Sequence, residues 1–150
     1  MTAFVTAGAG FLLAVLWFDL MFDVQAARLR PPELPESVLA SIAGYYRRVT
    51  TAARPMNRLI AAVMVGTIAA VIVQLAQGDA PRWAAAVSLA LTVAPITLAA
   101  VHTVPSAVRL GARSDTIVRQ SRLARSILRD HLLCIAAIAV VLVIQLAFAR

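Results

Sequence analysis

From Arg109 to Ala149 the chain reads RLGARSDTIVRQSRLARSILRDHLLCIAAIAVVLVIQLAFA. The first part of this stretch is basic and amphipathic. Ile117, Leu123, Ala124, Ile127 and Leu128 fall on one helical face, and Arg119, Arg122, Arg125 and Arg129 fall on the opposite one. From His131 onward the stretch is almost wholly apolar, and about twenty such residues suffice to cross roughly 30 Å of hydrocarbon as a helix. A single helix can therefore rise from a basic rim directly into a membrane.

The same alternation recurs outward along the chain. Apolar spans are expected at about residues 3–22, 56–77, 83–104 and 131–149. Twelve of the fourteen arginines sit in residues 28–58 and 109–129, and lysine is absent. At 61% hydrophobic and 14% charged, with a mean hydropathy of +0.85, the 150 residues are too apolar for a soluble domain. The net charge of +7 then reads as orientation rather than as nucleic-acid binding. The positive-inside rule places both arginine segments in the cytoplasm and both termini outside, as in a multi-pass protein of the inner (plasma) membrane. Lipid leaves backbone groups unpaired, so each span must be helical. The fold class is all-α: one integral membrane domain, a four-helix bundle with two cytoplasmic amphipathic helical segments.

Local signals refine this outline. Residues 7–10, Ala-Gly-Ala-Gly, permit close approach of a neighbouring helix, and Trp17, Phe18 and Phe22 suit the headgroup level. Pro31, Pro32 and Pro35 make residues 30–34 extended. Residues 37–53 read as a short helix whose apolar positions Val38, Leu39, Ile42, Tyr45 and Tyr46 lay it on or near the membrane surface. Residues 78–81, Gly-Asp-Ala-Pro, form a turn. Pro95 loosens the third span, Pro105 ends it, and residues 106–115 follow as a loop. The first segment lacks the basic start of a signal peptide and is expected to remain as a span. Cys134, the sole cysteine, is a small buried side chain rather than a nucleophile.

Topology gathers residues that are distant in sequence. Asp19, Asp23, Asn57, Arg58, His102, Asp130 and His131 should share one depth at the cytoplasmic end. Asp19 and Asp23, one turn apart, need partners near hydrocarbon. Arg54, Arg58 and Arg129 are the candidates, and an ion-pair collar between the first two spans is the plain outcome. The catalytic alternative assigns proton transfer to His102 or His131, with Asp19 and Asp23 beside them. Asn57, Arg58, Thr103 and Ser106 would then contact a ligand, with Arg58 stabilising an enolate-like charge. If a metal is present, Asp19, Asp23, His102 and His131 would hold it, and two imidazoles could also suit haem. No diagnostic ligand spacing occurs, so the cofactor stays unknown.

Residues 94–97, Ala-Pro-Ile-Thr, residues 103–110, Thr-Val-Pro-Ser-Ala-Val-Arg-Leu, and residues 125–131, Arg-Ser-Ile-Leu-Arg-Asp-His, resemble the anthrone-oxygenase-like family of small four-span membrane proteins. The resemblance covers the last third of the chain and the topology. Ser106 stands where that family often has asparagine, and the family's tryptophan before the fourth span is missing. The resemblance implies a polar pocket at one membrane face and oxygenation of a polycyclic phenolic substrate without an obvious cofactor. The expected function is binding or oxidation of a lipid-soluble aromatic or quinone-like molecule that enters from the lipid bilayer. The alternative is a non-enzymatic accessory subunit or homo-oligomeric membrane scaffold, with another copy or a partner membrane protein on the small-residue stripe.

Overall fold

The computed structural model describes residues 1–27 and 33–148. Arg28, Arg30, most of the extended run expected at residues 30–34, the side chain of Arg54, and Ala149 with Arg150 lie outside the described residues. The elements are α1 (Thr2–Ala27), α2 (Glu36–Tyr46), a π-helical segment (Arg47–Ala52), α3 (Arg54–Gln77), α4 (Arg82–Leu98), a second π-helical segment (Ala99–Thr103), α5 (Val104–Ala112) and α6 (Ile117–Ala147). No strand occurs among the described residues.

Four helices are long and apolar enough to cross a membrane: Thr2–Ala27, Pro55–Gln77, Arg82–Ala112 and Ile117–Ala147. They carry the mark of a multi-pass membrane protein. Phe4, Trp17, Val65 and Val143 are each about two-thirds exposed, an arrangement that suits lipid far better than water. Helix α6 packs against α1 and α4, and α3 packs against the same two, so the four long helices close into a ring.

Their shared interior holds Val5, Ala9 and Leu12 of α1, Val71 of α3, and Ile138 and Val141 of α6. Without a hydrophobic drive between helices in lipid, close packing and side-chain hydrogen bonds must hold them. Gly8 supplies the first. The Thr67 hydroxyl of α3 occupies the volume that a Cβ on Gly8 would need, while it donates to the Val63 carbonyl at 2.7 Å. A buried amide pair supplies the second. Gln74 and Gln145 donate to one another at 2.9 and 3.2 Å. Gln145 also reaches Ser88 Oγ of α4 at 3.1 Å, and Gln74 reaches Thr2 of α1 at 3.1 Å.

A second core forms beyond this one. Leu39, Ile42, Ala43 and Tyr46 of α2 pack with Ala26 of α1, Ala107 and Leu110 of α5, and Ala124 and Ile127 of α6. Helix α6 has 31 residues, about 46 Å at 1.5 Å per residue, so it outruns the hydrocarbon and its first third serves this cap. The apolar stripe expected to hold residues 37–53 on or near the membrane surface is taken up by the protein itself. The apolar face of α2 is buried within the protein, against α5 and α6. Gly111 makes that approach possible, because a Cβ there would stand 2.9 Å from the Arg47 backbone nitrogen.

The expected end of the third span is also revised. Pro105 does not stop the helix: residues 82–112 continue without a break, and Pro105 lies directly after the second π-helical segment, in the first turn of α5. The loop expected at residues 106–115 shrinks to the turn after Ala112, which Arg113 opens in the left-handed region at φ 55°. Ion pairs pin that turn. Arg109 grips both oxygens of Asp115 at 2.7 and 2.9 Å, and Arg113 reaches Glu36 at the start of α2 at 2.6 Å. At the other end, Gly78 closes α3 at φ 72°, a conformation glycine adopts without strain, and α4 begins after Pro81.

Candidate functional site

Between the two cores the helices bring polar side chains together. On α1 the order is Leu12, Asp19, Asp23, Ala26; on α6 it is Ile127, Asp130, His131, Ile138. In both helices the acids and the imidazole fall in the interval that neither core fills.

Asp23 is fully buried and is the hub. Its Oδ1 accepts from the Tyr46 hydroxyl at 2.6 Å, and its Oδ2 lies 2.6 Å from His131 Nδ1. With Nδ1–H donating to the carboxylate, the lone pair of a neutral ring sits on Nε2. That Nε2 lies 3.8 Å from Asp19 Oδ2, too long for a direct hydrogen bond. Asp19 Oδ1 accepts from the Tyr45 hydroxyl at 2.7 Å. The Tyr45 ring stacks on Phe22, with centroids 4.0 Å apart and planes 10° apart, and meets Tyr46 edge-on at 5.3 Å. One imidazole is thus held between two carboxyl groups, and each carboxyl group is capped by a phenol. Burial foremost, then the neighbouring Asp19 and Asp23, push both tyrosine hydroxyls well above their ordinary range, so they remain donors.

A second dyad adjoins the first. His102 Nδ1 lies 2.7 Å from Asp130 Oδ2, and the Thr103 hydroxyl donates to the same oxygen at 2.8 Å. Asp130 is buried, whereas the His102 side chain is nearly half exposed. Asp130 directly precedes His131 in α6, so the half-exposed His102 pairs with the residue next to the buried imidazole.

Both π-helical segments border this cluster. One directly follows Tyr45 and Tyr46; the other contains His102 and Thr103. A π turn leaves carbonyls out of the usual ladder, and such insertions occur often at functional sites. The side chains nearby take up the slack. Thr50 donates to the Tyr46 carbonyl at 2.7 Å, and the Asn57 amide donates to the Thr50 carbonyl at 2.8 Å. Asn57 thereby ties the start of α3 to the π-helical segment before it.

The sequence-derived candidates separate into two groups. Asp19, Asp23 and His131 meet, and His102 and Thr103 join Asp130 beside them. Arg58 is exposed on the first turn of α3, and neither it nor Arg129 pairs with Asp19 or Asp23 among the described residues. Among the described residues the partners of Asp19 and Asp23 are phenols and an imidazole, and the third expected partner, Arg54, has its side chain outside them. Ser106 is buried on α5, and no hydrogen bond among the described residues joins it to the cluster. The four residues named as metal ligands do not form one donor set, because His102 turns to Asp130 and His131 to Asp19 and Asp23. Among the described residues, no group of three or more His, Cys, Asp and Glu side chains is arranged to hold a metal ion.

Sequence reasoning missed Tyr45, Tyr46 and Phe22 as site residues. In sequence the tyrosines fall on the apolar face of a short helix. Their hydroxyls carried a usable signal, since a buried phenol needs a partner and two unpaired acids were at hand.

No family model matches the chain, and neither does any curated protein or solved structure.

Proposed function

We propose that the chain is a four-helix bundle of the inner membrane, with a cytoplasmic cap and both termini outside. In this reading the Asp–His–Tyr cluster binds a lipid-soluble aromatic or quinone-like molecule and exchanges a proton with its oxygen. The observation that carries the reading is the fixed imidazole of His131. Asp23 orients it through Nδ1 at 2.6 Å and stands ready to balance imidazolium charge, while Nε2 faces Asp19. A buried carboxylate that fixes the tautomer of a histidine is the usual means of preparing it for general acid–base work. In the forward direction the ligand's O–H bond breaks, an N–H bond forms on Nε2, and the ligand is left as its oxyanion; in the reverse direction the imidazolium returns that proton from Nε2 to the oxyanion. The resemblance to anthrone-oxygenase-like proteins points to the same class of ligand.

The test uses purified protein in lipid nanodiscs and a decyl-chain ubiquinone analogue. Saturable binding above that of empty nanodiscs, lost in His131→Gln and in Asp23→Asn while helicity persists, is the expected result. Binding no greater than the lipid background, or indifferent to both substitutions, refutes the reading.

A scaffold role is favoured by one separate feature. An apolar groove of about 590 Å³ runs between α1 and α3, with Ala7, Gly8, Gly66 and Ala70 along it. Native mass measurement from gentle detergent decides this: a defined oligomer supports a scaffold, and a monomer removes the support.

A further inference from the structure

Tyr45 does to the cluster what an incoming ligand would have to do. Its flat ring lies face to face on Phe22 at 4.0 Å, and its hydroxyl donates to Asp19 at 2.7 Å. Tyr46 differs. It is buried, and it belongs to the second core. Tyr45 is only partly buried, at the open edge of the same helix, and the adjoining π-helical segment begins just two residues later. On α1 the approach is already apolar, since Phe18, one turn before Phe22, and Met21 are both about three-fifths exposed. A ring sliding along Phe18 from lipid would meet Phe22 next, with Asp19 beside it.

The geometry points to Tyr45 as an internal stand-in for the ligand: the Phe22 face and Asp19 Oδ1 form a subsite for a flat ring bearing a hydroxyl, and Tyr45 must swing out for an external ring to enter. This rests on the function proposed above and adds the place and the gate. Asp19 Oδ1 takes the hydroxyl, and its Oδ2 stays turned towards His131 Nε2, 3.8 Å away, so that the proton has a short onward route to the imidazole. Binding in the wild type is weakened by the fraction of time that Tyr45 holds the subsite. A resident that occupies it about nine-tenths of the time lowers apparent affinity on the order of tenfold.

The experiment titrates 1-naphthol into nanodisc-embedded protein, follows its fluorescence anisotropy, and repeats the titration with 1-methylnaphthalene, which lacks the hydroxyl. Tyr45→Ala should bind 1-naphthol on the order of tenfold more tightly than wild type, with no such gain for 1-methylnaphthalene. Tyr45→Phe, which keeps the ring and the packing, should gain less but still gain, because it no longer competes for Asp19. Adding Asp19→Leu to Tyr45→Ala should abolish the gain. Unchanged or weaker 1-naphthol binding in both Tyr45 variants overturns the proposal, as does an equal gain for 1-methylnaphthalene. His131→Gln in the Tyr45-intact protein reports on binding of the ubiquinone analogue separately, so a gate that fails leaves that result standing.

Discussion

Raising the pH on the folded protein should leave both of its tyrosines un-ionised well past the point where free phenols lose their protons. The chain has only two tyrosines, Tyr45 and Tyr46, and both donate to carboxyl groups in the cluster, at 2.7 and 2.6 Å. Tyrosinate absorbance at 295 nm therefore reads this site and nothing else. Burial and the adjacent carboxylates raise both hydroxyls above the ordinary value of 10.0. At pH 11 an unperturbed phenol is about 90% ionised. The protein in nanodiscs should show almost no tyrosinate there, whereas the same chain in denaturant should show nearly the full signal of two residues. The linkage follows with a definite sign. The folded state keeps protons that the unfolded chain releases, so the stabilisation is complete below about pH 10 and declines as pH rises further. Tyr45→Phe should halve the amplitude that appears on unfolding and leave the remaining phenol suppressed. Two tyrosines titrating near pH 10 in the folded protein would mean that neither hydroxyl is tied to Asp19 or Asp23, and the cluster as described would be wrong.

Three further outcomes follow from particular contacts. Gly8→Val places side-chain atoms where the Thr67 hydroxyl stands and should destabilise the α1–α3 pairing by about 1–3 kcal/mol; steric trapping or SDS unfolding in mixed micelles measures it, and Thr67→Ala should recover part of the loss. Gln145→Leu strands the Gln74 amide in the membrane interior, while Gln74→Leu with Gln145→Leu removes both halves of the pair, so a double-mutant cycle should return a coupling on the order of 0.6–2 kcal/mol. No coupling would show that the two amides do not act together. Cysteines placed singly at Arg48 and Arg122 in a Cys134→Ala background should both react with a membrane-impermeant maleimide from the cytoplasmic side; reaction from opposite sides would undo the proposed orientation.

The four long helices were legible because their signal is nearly one-dimensional: about twenty apolar residues, bounded by arginine. Helix α6 shows this best, since the amphipathic run at residues 117–129 and the apolar run from His131 form one unbroken element. The meeting of Asp19, Asp23 and His131 was legible too, given the topology, because the ends of α1 and α6 must share one membrane face. What failed was anything decided by tertiary context. Pro105 is a stop signal in sequence, yet the helix runs on through it directly after a π-helical segment. Helix α2 looked like a surface element because its apolar stripe has no partner in sequence; α5, which provides one, was hidden inside an expected loop. Two of the expected partners of the acids, Arg58 and Arg129, fail for a related reason. Arginine is the usual answer to a buried carboxylate, but Arg58 is exposed near the start of α3 while α2 carries Tyr45 and Tyr46 straight to α1.

The cluster is hard to explain as a fastening alone. Apolar side chains of similar volume commonly replace a buried set of acids and an imidazole with no loss of stability, because the cost of desolvation cancels much of the attraction. This chain has the means to do so, since an apolar core lies on each side along both α1 and α6. It instead buries Asp23 completely, commits both of its tyrosines to the same spot, and borders the site with two π-helical segments in place of regular helix. Stability asks for none of these. The proposed proton exchange would use an oriented imidazole, a carboxyl group to balance its charge, and a neighbouring side chain able to yield its place, the parts that the proposal assigns to His131, Asp23 and Tyr45.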